Sequence, residues 1–212
     1  MREIWFAVLL GLTFAGVPPA AAQAPKPAGD ATAASLLMPS AQDRVLGKPD
    51  APLTIIEYAS LTCPHCAHFA TDVLAKLKPK WIDTGKAKLI LRDFPLDEPA
   101  LRAAMVARCA PPERFYPLID TLFETQDKWA VAKDWRAALE RIVRVGGIGA
   151  KEFAGCIENK ALEDRVAQSR LTAATQLGVD STPTFFVNGK KYDGEPTFEA
   201  FDKLLAGLAE KS

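Results

Sequence analysis

The sequence predicts an α/β protein with one mixed sheet, helices on both of its faces, and an all-helical insertion in the middle. Three observations carry that reading. Residues 53–95 run strand, helix, strand. Residues 98–178 are rich in Ala, Leu, Arg and Glu and hold no strand pattern. Residues 181–210 return to strand, turn, strand and helix. Two sheet-forming halves separated by helices make one layered domain with an insertion.

The chain divides accordingly. MREIWFAVLLGLTFAGVPPAAA (1–22) has a charged start, an apolar run from Ile4 to Val17 and small residues at Ala20 and Ala22. That is the layout of a secretory signal peptide cut before Gln23, and the run is too short to cross a bilayer comfortably. Cleavage before Pro25 and an uncleaved anchor are the rival readings. Residues 23–42 read as a flexible leader in which Leu36, Leu37 and Met38 are candidates to dock on the body. Residues 43–96 form the first part of the sheet domain, 97–178 the helical insertion and 179–212 the second part.

Within these segments, LTIIEYAS (53–60) is an apolar, β-branched run after Pro52 and predicts a buried strand. From Pro64, apolar residues recur at helical spacing: Cys66, Phe69, Val73, Leu77 and Trp81 share one face. Thr62 is a candidate cap, Pro64 suits the first turn, and Pro79 should kink or end the helix. KLILRDFP (88–95) is the second strand, and the insertion reads as four or five helices. STPTFFVNGKKYDGE (181–195) gives a strand, an Asn188-Gly189 turn and a return strand, and FEAFDKLLAGLAE (198–210) is an amphipathic helix.

Chemistry enters at LTCPHCAHF (61–69). The 26 basic and 26 acidic residues cancel with no basic block, which argues against nucleic acid as a partner. An exported chain meets an oxidising compartment, so disulfide chemistry is the first reading of its four cysteines. At the first turn of a helix, unpaired N–H groups and the macrodipole stabilise a thiolate at Cys63. His65 adds a positive charge or a donor there. Cys63 should therefore be exposed and reactive, with Cys66 partly buried behind it. A zinc site lacks a second C-x-x-C pair and has only two histidines to draw on, so no metal is expected. An inert structural disulfide is the other alternative. Glu57, six residues before Cys63, is an acid on an otherwise apolar strand, either at an end facing water or buried for a reason. Pro183 opens a buried strand, an awkward placement unless the Thr182–Pro183 bond is cis.

Together CPHC, TPTFFVNG, the helix block and the signal peptide resemble the DsbA family of exported dithiol oxidases within the thioredoxin superfamily. The resemblance covers nearly all of the chain beyond residue 42. It implies a thioredoxin-like fold with an inserted all-helical domain, and an enzyme whose only redox group is the Cys63–Cys66 disulfide, with no other cofactor. Cys63 would be attacked by a substrate thiolate to give a mixed disulfide, with Pro64 and His65 tuning its thiolate. Glu57 would assist proton transfer at Cys66. Thr182 and Pro183 would lie beside the cysteines, Thr182 pairing with extended substrate, and Leu61 would help line an apolar groove. The implied partners are newly exported, cysteine-containing proteins and a membrane quinone-linked oxidase that recharges the pair. The implied location is the periplasm, and the expected state is a monomer.

Cys109 and Cys156 lie in the insertion. A bond between them would close a loop worth about 4 kcal/mol by the chain-entropy estimate, and resembles the second disulfide of some DsbA branches. The alternative is two buried, unpaired thiols. An isomerase or reductase is the rival within the same chemistry, although residues 23–42 are too short for the dimerisation domain isomerases of this superfamily typically add. A redox-inert binding module using the groove alone is the rival outside it.

Overall fold

Five strands form one sheet among the described residues, and the central strand is buried on both of its faces. The computed structural model describes Met1 and residues 33–211. The expected signal peptide beyond Met1, and residues 23–32 of the leader, lie outside the described residues. The strands are β1 (Val45–Leu46), β2 (Leu53–Ala59), β3 (Ala87–Asp93), β4 (Thr184–Val187) and β5 (Lys190–Tyr192). Their order is β1-β3-β2-β4-β5. β2 and β3 are parallel, with Leu53 opposite Ala87 and Ala59 opposite Asp93, while the other pairings are antiparallel. Asn188 and Gly189 take positive φ (46° and 76°) in the β4–β5 turn, as Asn-Gly hairpins do. That turn is pinned to β2, since the Thr54 N–H donates to the Asn188 side chain and the Asn188 N–H to the Thr54 carbonyl.

The first face carries the cysteine helix. α2 (Pro64–His68) passes into a π-helical segment (Phe69–Leu74), the single turn α3 (Ala75–Leu77) and a second π-helical segment (Lys78–Ile82). As expected, α winding ends just before Pro79, although the helical path continues through it. The missing N–H is absorbed by wider winding, in which the Asp83 N–H reaches the Lys78 carbonyl at 2.8 Å. Cys66, Phe69, Val73, Leu77 and Trp81 are all buried on this face. Phe69 packs on Phe185 of β4 and on Phe201 of α10 (Phe198–Ala209), at ring separations of 4.5 and 5.5 Å.

Six helices make up the insertion: α4 (Glu98–Cys109), α5 (Pro112–Glu124), α6 (Gln126–Trp129), α7 (Trp135–Val145), α8 (Ala150–Ile157) and α9 (Lys160–Gln176). The unforeseen one is α6, a single turn too short to show a period. The sulfurs of Cys109 and Cys156 are 1.98 Å apart, joining the end of α4 to α8.

The second face buries Ile56, Tyr58, Ile90 and Phe186 under Ala173 of α9 and Leu37. Residues 33–42, assigned to the leader from sequence, are therefore part of the packed body here. α1 (Ala33–Leu36) precedes the buried Leu37, whereas Met38 stays exposed. Arg92 of β3 makes the anchor. Each of its five N–H donors is used, on the Asp43 carboxylate twice, the carbonyls of Leu36 and Met38, and the Tyr58 hydroxyl. Burial raises the Asp43 pKa, but the hydrogen bond from Arg92 and its neighbours outweigh this and hold the carboxyl below its ordinary value. The pair's side chains are only 11% and 7% exposed, so breaking it strands a charge. Arg92→Met should cost about 3 kcal/mol in urea unfolding and open residues 33–42 to limited proteolysis. Unchanged stability and protease resistance would show that the leader is held by Leu37 alone.

Candidate active site

β2 ends at Ala59, and a turn closed by the Cys63 N–H on the Ser60 carbonyl (3.1 Å) delivers Cys63 to the start of α2. Cys63 is the N-cap residue, in extended conformation, and no side chain caps the helix. Thr62, the sequence candidate for that role, instead turns away and donates to Asp97 at 2.8 Å. The consequence is chemical, because the first-turn N–H groups are left for the Cys63 sulfur.

The second wall comes from the far end of the chain. The Thr182–Pro183 peptide is cis, and Cys63 Sγ lies 3.2 Å from the Thr182 carbonyl oxygen, to which the thiol donates. Thr184 Oγ1 holds the loop by donating to the Ser181 carbonyl. This cover corrects the expectation of an exposed Cys63, which is only 6% accessible. Cys66, one turn on, is fully buried. Pro64 and His65 between them are exposed. His68 pairs with Asp72 at 3.0 Å, an exposed contact outside the site.

The two sulfurs are pushed in opposite directions. Cys63 is lowered from 9.0 to about 5, first by a hydrogen bond from the Cys66 thiol, against the opposing effect of burial. Thr182 and the backbone N–H groups of Cys66 and His65 add to the lowering. The buried Thr182 Oγ1 has no hydrogen-bond partner within geometric limits, so its share is that of a nearby dipole. His65 therefore acts on the sulfur through its backbone N–H. Cys66 is raised well above the ordinary thiol range, first by burial, then by Cys63 and by the charge of Glu57.

Glu57 lies mid-strand on β2, between Leu91 and Phe185, and is 1% exposed. The end-of-strand alternative is thereby removed. Its Oε1 has no hydrogen-bond partner, and its pKa is pushed up to about 8, by burial first and by Cys63 second. At neutral pH it holds a proton beside the cysteines. Leu61, expected to line a groove with its side chain, is 4% exposed and points into the core. Only its carbonyl takes part, accepting a hydrogen bond from Gln126 of α6, a contact that sequence reading missed. Among the described residues, no group of three or more His, Cys, Asp or Glu side chains is placed to hold a metal ion.

The thioredoxin family profile matches residues 40–206. Alpha-DsbA1 of Wolbachia pipientis superposes with a TM-score of 0.79 at 34% identity, covering 85% of this chain and 97% of that one. The chain belongs to the DsbA family. A Novosphingobium aromaticivorans structure described as a protein-disulfide isomerase gives a TM-score of 0.70 at 25% identity, covering 79% of this chain and 97% of that one. A Rickettsia bellii protein with the provisional name protein-disulfide oxidoreductase is 33% identical over 168 residues. That match covers 77% of this chain but only 64% of the Rickettsia protein, so the chain spans less than two thirds of that relative's length.

Glu57 offers a test of the site's electrostatics. In the disulfide form Cys63 carries no charge, leaving burial as the main force on Glu57. A raised carboxyl pKa means that the folded chain keeps its proton after the unfolded chain has lost it. Stability is then greatest below the unfolded pKa of 4.5 and falls as pH rises toward the folded value, which burial holds raised. Glu57→Gln should remove that loss, so its stability gain over wild type grows from pH 5 to pH 8 to a few kcal/mol. Urea unfolding of the oxidised proteins across that range measures it; a gain independent of pH would contradict the buried-carboxyl account.

Proposed function

We propose that the protein is an exported thiol:disulfide oxidoreductase that donates its Cys63–Cys66 disulfide to newly translocated, cysteine-containing proteins. The observation that carries this is the split between the two sulfurs, Cys63 lowered to about 5 and Cys66 raised, at a helix start that no side chain caps. A stable thiolate at Cys63 favours the dithiol form, which makes the disulfide a good electron acceptor.

The chemistry runs in two exchanges. A substrate thiolate attacks Cys63 Sγ and forms a mixed disulfide; the Cys63–Cys66 bond breaks and its electron pair leaves on Cys66. With its pKa raised, Cys66 is a poor leaving group as a free thiolate and takes up a proton, a transfer that neutral Glu57 assists in this reading. The substrate's second thiolate then attacks the substrate sulfur of the mixed disulfide and expels the Cys63 thiolate. The substrate dithiol has lost two electrons and the protein pair has gained them. Pro64 and His65 set the geometry of the first turn, and with it the stability of the expelled thiolate. The Thr182 carbonyl, which accepts from the Cys63 thiol in the dithiol form, loses that donor when the disulfide forms and there accepts from the backbone of an extended substrate. Pro183 shapes the same docking edge.

Re-oxidation falls to a membrane quinone-linked oxidase, and the location is the periplasm, on the strength of the N-terminal signal pattern and the family. Among the described residues no helix is long and apolar enough to cross a membrane. The bond between Cys109 and Cys156 braces the insertion by joining α4 to α8.

The deciding experiment is the reduction potential of the Cys63–Cys66 pair in glutathione buffers as a function of pH. A value near about −120 mV, that of DsbA itself, marks a disulfide donor, and one near about −270 mV marks a reductant. Because Cys63 is already ionised above about pH 5, reduction takes up one proton there and two below. The potential should fall by about 30 mV per pH unit between pH 6 and 8, and by about 60 mV per unit below the Cys63 pKa. Cys63→Ala should abolish dithiol oxidation; an unaltered variant would point to a binding module.

A further inference from the structure

The inserted helices hold the cysteine loop by an identifiable device. Gln126, the first residue of α6, is half-buried, and its Nε2 donates to two carbonyls, that of Leu61 at 2.8 Å and that of Cys63 at 3.1 Å. Both hydrogens of the amide nitrogen are thus spent on the segment leading into α2. The Cys63 carbonyl also accepts the first helical hydrogen bond, from the Ala67 N–H at 3.1 Å, so Gln126 takes its second lone pair. Thr62, between the two, is held by Asp97. Three consecutive residues, 61 to 63, are therefore each tied to the insertion.

Gln126 is itself firmly placed. Trp129, in the same helical turn, is fully buried, and its indole N–H donates to the Leu122 carbonyl at 2.9 Å. We propose that Gln126 is a positioning residue for the cysteine chemistry, fixing the Leu61–Thr62 and Cys63–Pro64 peptide units so that the Cys63 sulfur meets the first-turn N–H groups of α2. This rests on the oxidoreductase reading above and adds to it a part played by the insertion.

The physical basis is directional. The peptide planes around Cys63 set the Cα–Cβ bond, and that bond sets the line from the sulfur to the His65 and Cys66 N–H groups. Attraction between a charge and an N–H group weakens steeply as the group swings off axis. Releasing the two carbonyls lets residues 61–63 spread over more conformations, only some of which stabilise the thiolate. The position also has a chemical sense: it takes a donor with two hydrogens. A glutamate of the same shape would set an acceptor against two acceptors and add negative charge beside the thiolate.

The test compares Gln126→Ala and Gln126→Glu with wild type in the full chain. Thiolate absorbance of the reduced protein is followed against pH, and the equilibrium with glutathione is measured alongside. Gln126→Ala should lower the Cys63 ionisation constant by about three- to tenfold, the scale of one or two lost hydrogen bonds. The potential should fall with it by about 15 to 30 mV, at about 30 mV per tenfold change. Gln126→Glu should exceed both effects, and where it fails to fold, Gln126→Ala alone decides. A merely structural role would lower the unfolding midpoint and leave both constants in place. A folded Gln126→Ala protein within about twofold of wild type in the ionisation constant overturns the proposal. Failure of wild type itself to oxidise dithiols would overturn the oxidoreductase reading, while the ionisation comparison would still decide on Gln126.

Discussion

The site depends on one constraint: the sulfur of Cys63 has to take the place that a capping side chain fills at most helix starts. Helix N-termini present N–H groups that need an acceptor, and Ser, Thr, Asp or Asn ordinarily supplies it. Here the residue at the cap is a cysteine, and its neighbour Thr62 is drawn off to Asp97. The unsatisfied donors then have one candidate acceptor, and ionising that sulfur is how the helix start is completed. The same arrangement explains why Pro64 is tolerated beside the reactive sulfur. Its missing N–H costs nothing in the first turn, and its ring holds φ near the helical value.

From this follows the asymmetry between two otherwise identical side chains. Cys63 sits at the edge of the first turn, with donors on one side and the Thr182 loop on the other. Cys66 starts the apolar stripe and is sealed beneath it, beside a carboxyl that would repel its charge. One residue type thus serves as a stable thiolate, where hydrogen-bond donors converge on it, and as a thiol that resists ionisation, where burial seals it. Glu57 fits the same logic. A carboxyl without a partner for Oε1 in mid-sheet is costly, and it escapes most of that cost by staying protonated.

Local sequence carried the parts of this that depend on local physics. The stripe from Cys66 to Trp81 is readable because helical spacing is set by neighbours in the chain. The Asn188–Gly189 hairpin is readable because positive φ narrows the choice of residue. Other features have their causes far away. The cover over Cys63 arrives from 119 residues later, so an exposed helix start was the natural and mistaken expectation. Leu61 looked like a groove residue because nothing near it reveals that its side chain faces the core. The five donors of Arg92 close on a segment 49 to 56 residues earlier and on Tyr58, partners that nothing next to it in the chain announces. Gln126 sits in a helix too short to have a period, and no pattern in the chain could have linked it to residue 63. Asp97 caps α4 by accepting from the Ala100 N–H, and its second oxygen accepts from Thr62, a partner 35 residues earlier.

The insertion therefore has a place in the chemistry that its position in the chain makes intelligible. It leaves the sheet domain at the end of β3 and returns to it at β4. Its entry carries Asp97, which draws Thr62 off the helix start, and its exit runs through residues 177–182 into the Thr182 carbonyl. Between them α6 supplies Gln126. Every polar contact named here between the cysteine loop and the rest of the chain, the Thr182 contact included, is made by the insertion or by the segment that leaves it. A sheet and one helix suffice to place a C-x-x-C pair. Holding the first sulfur against its helix N–H groups, under the Thr182 loop, takes support from the side, and in this chain contacts from Asp97 and Gln126 of the insertion provide it.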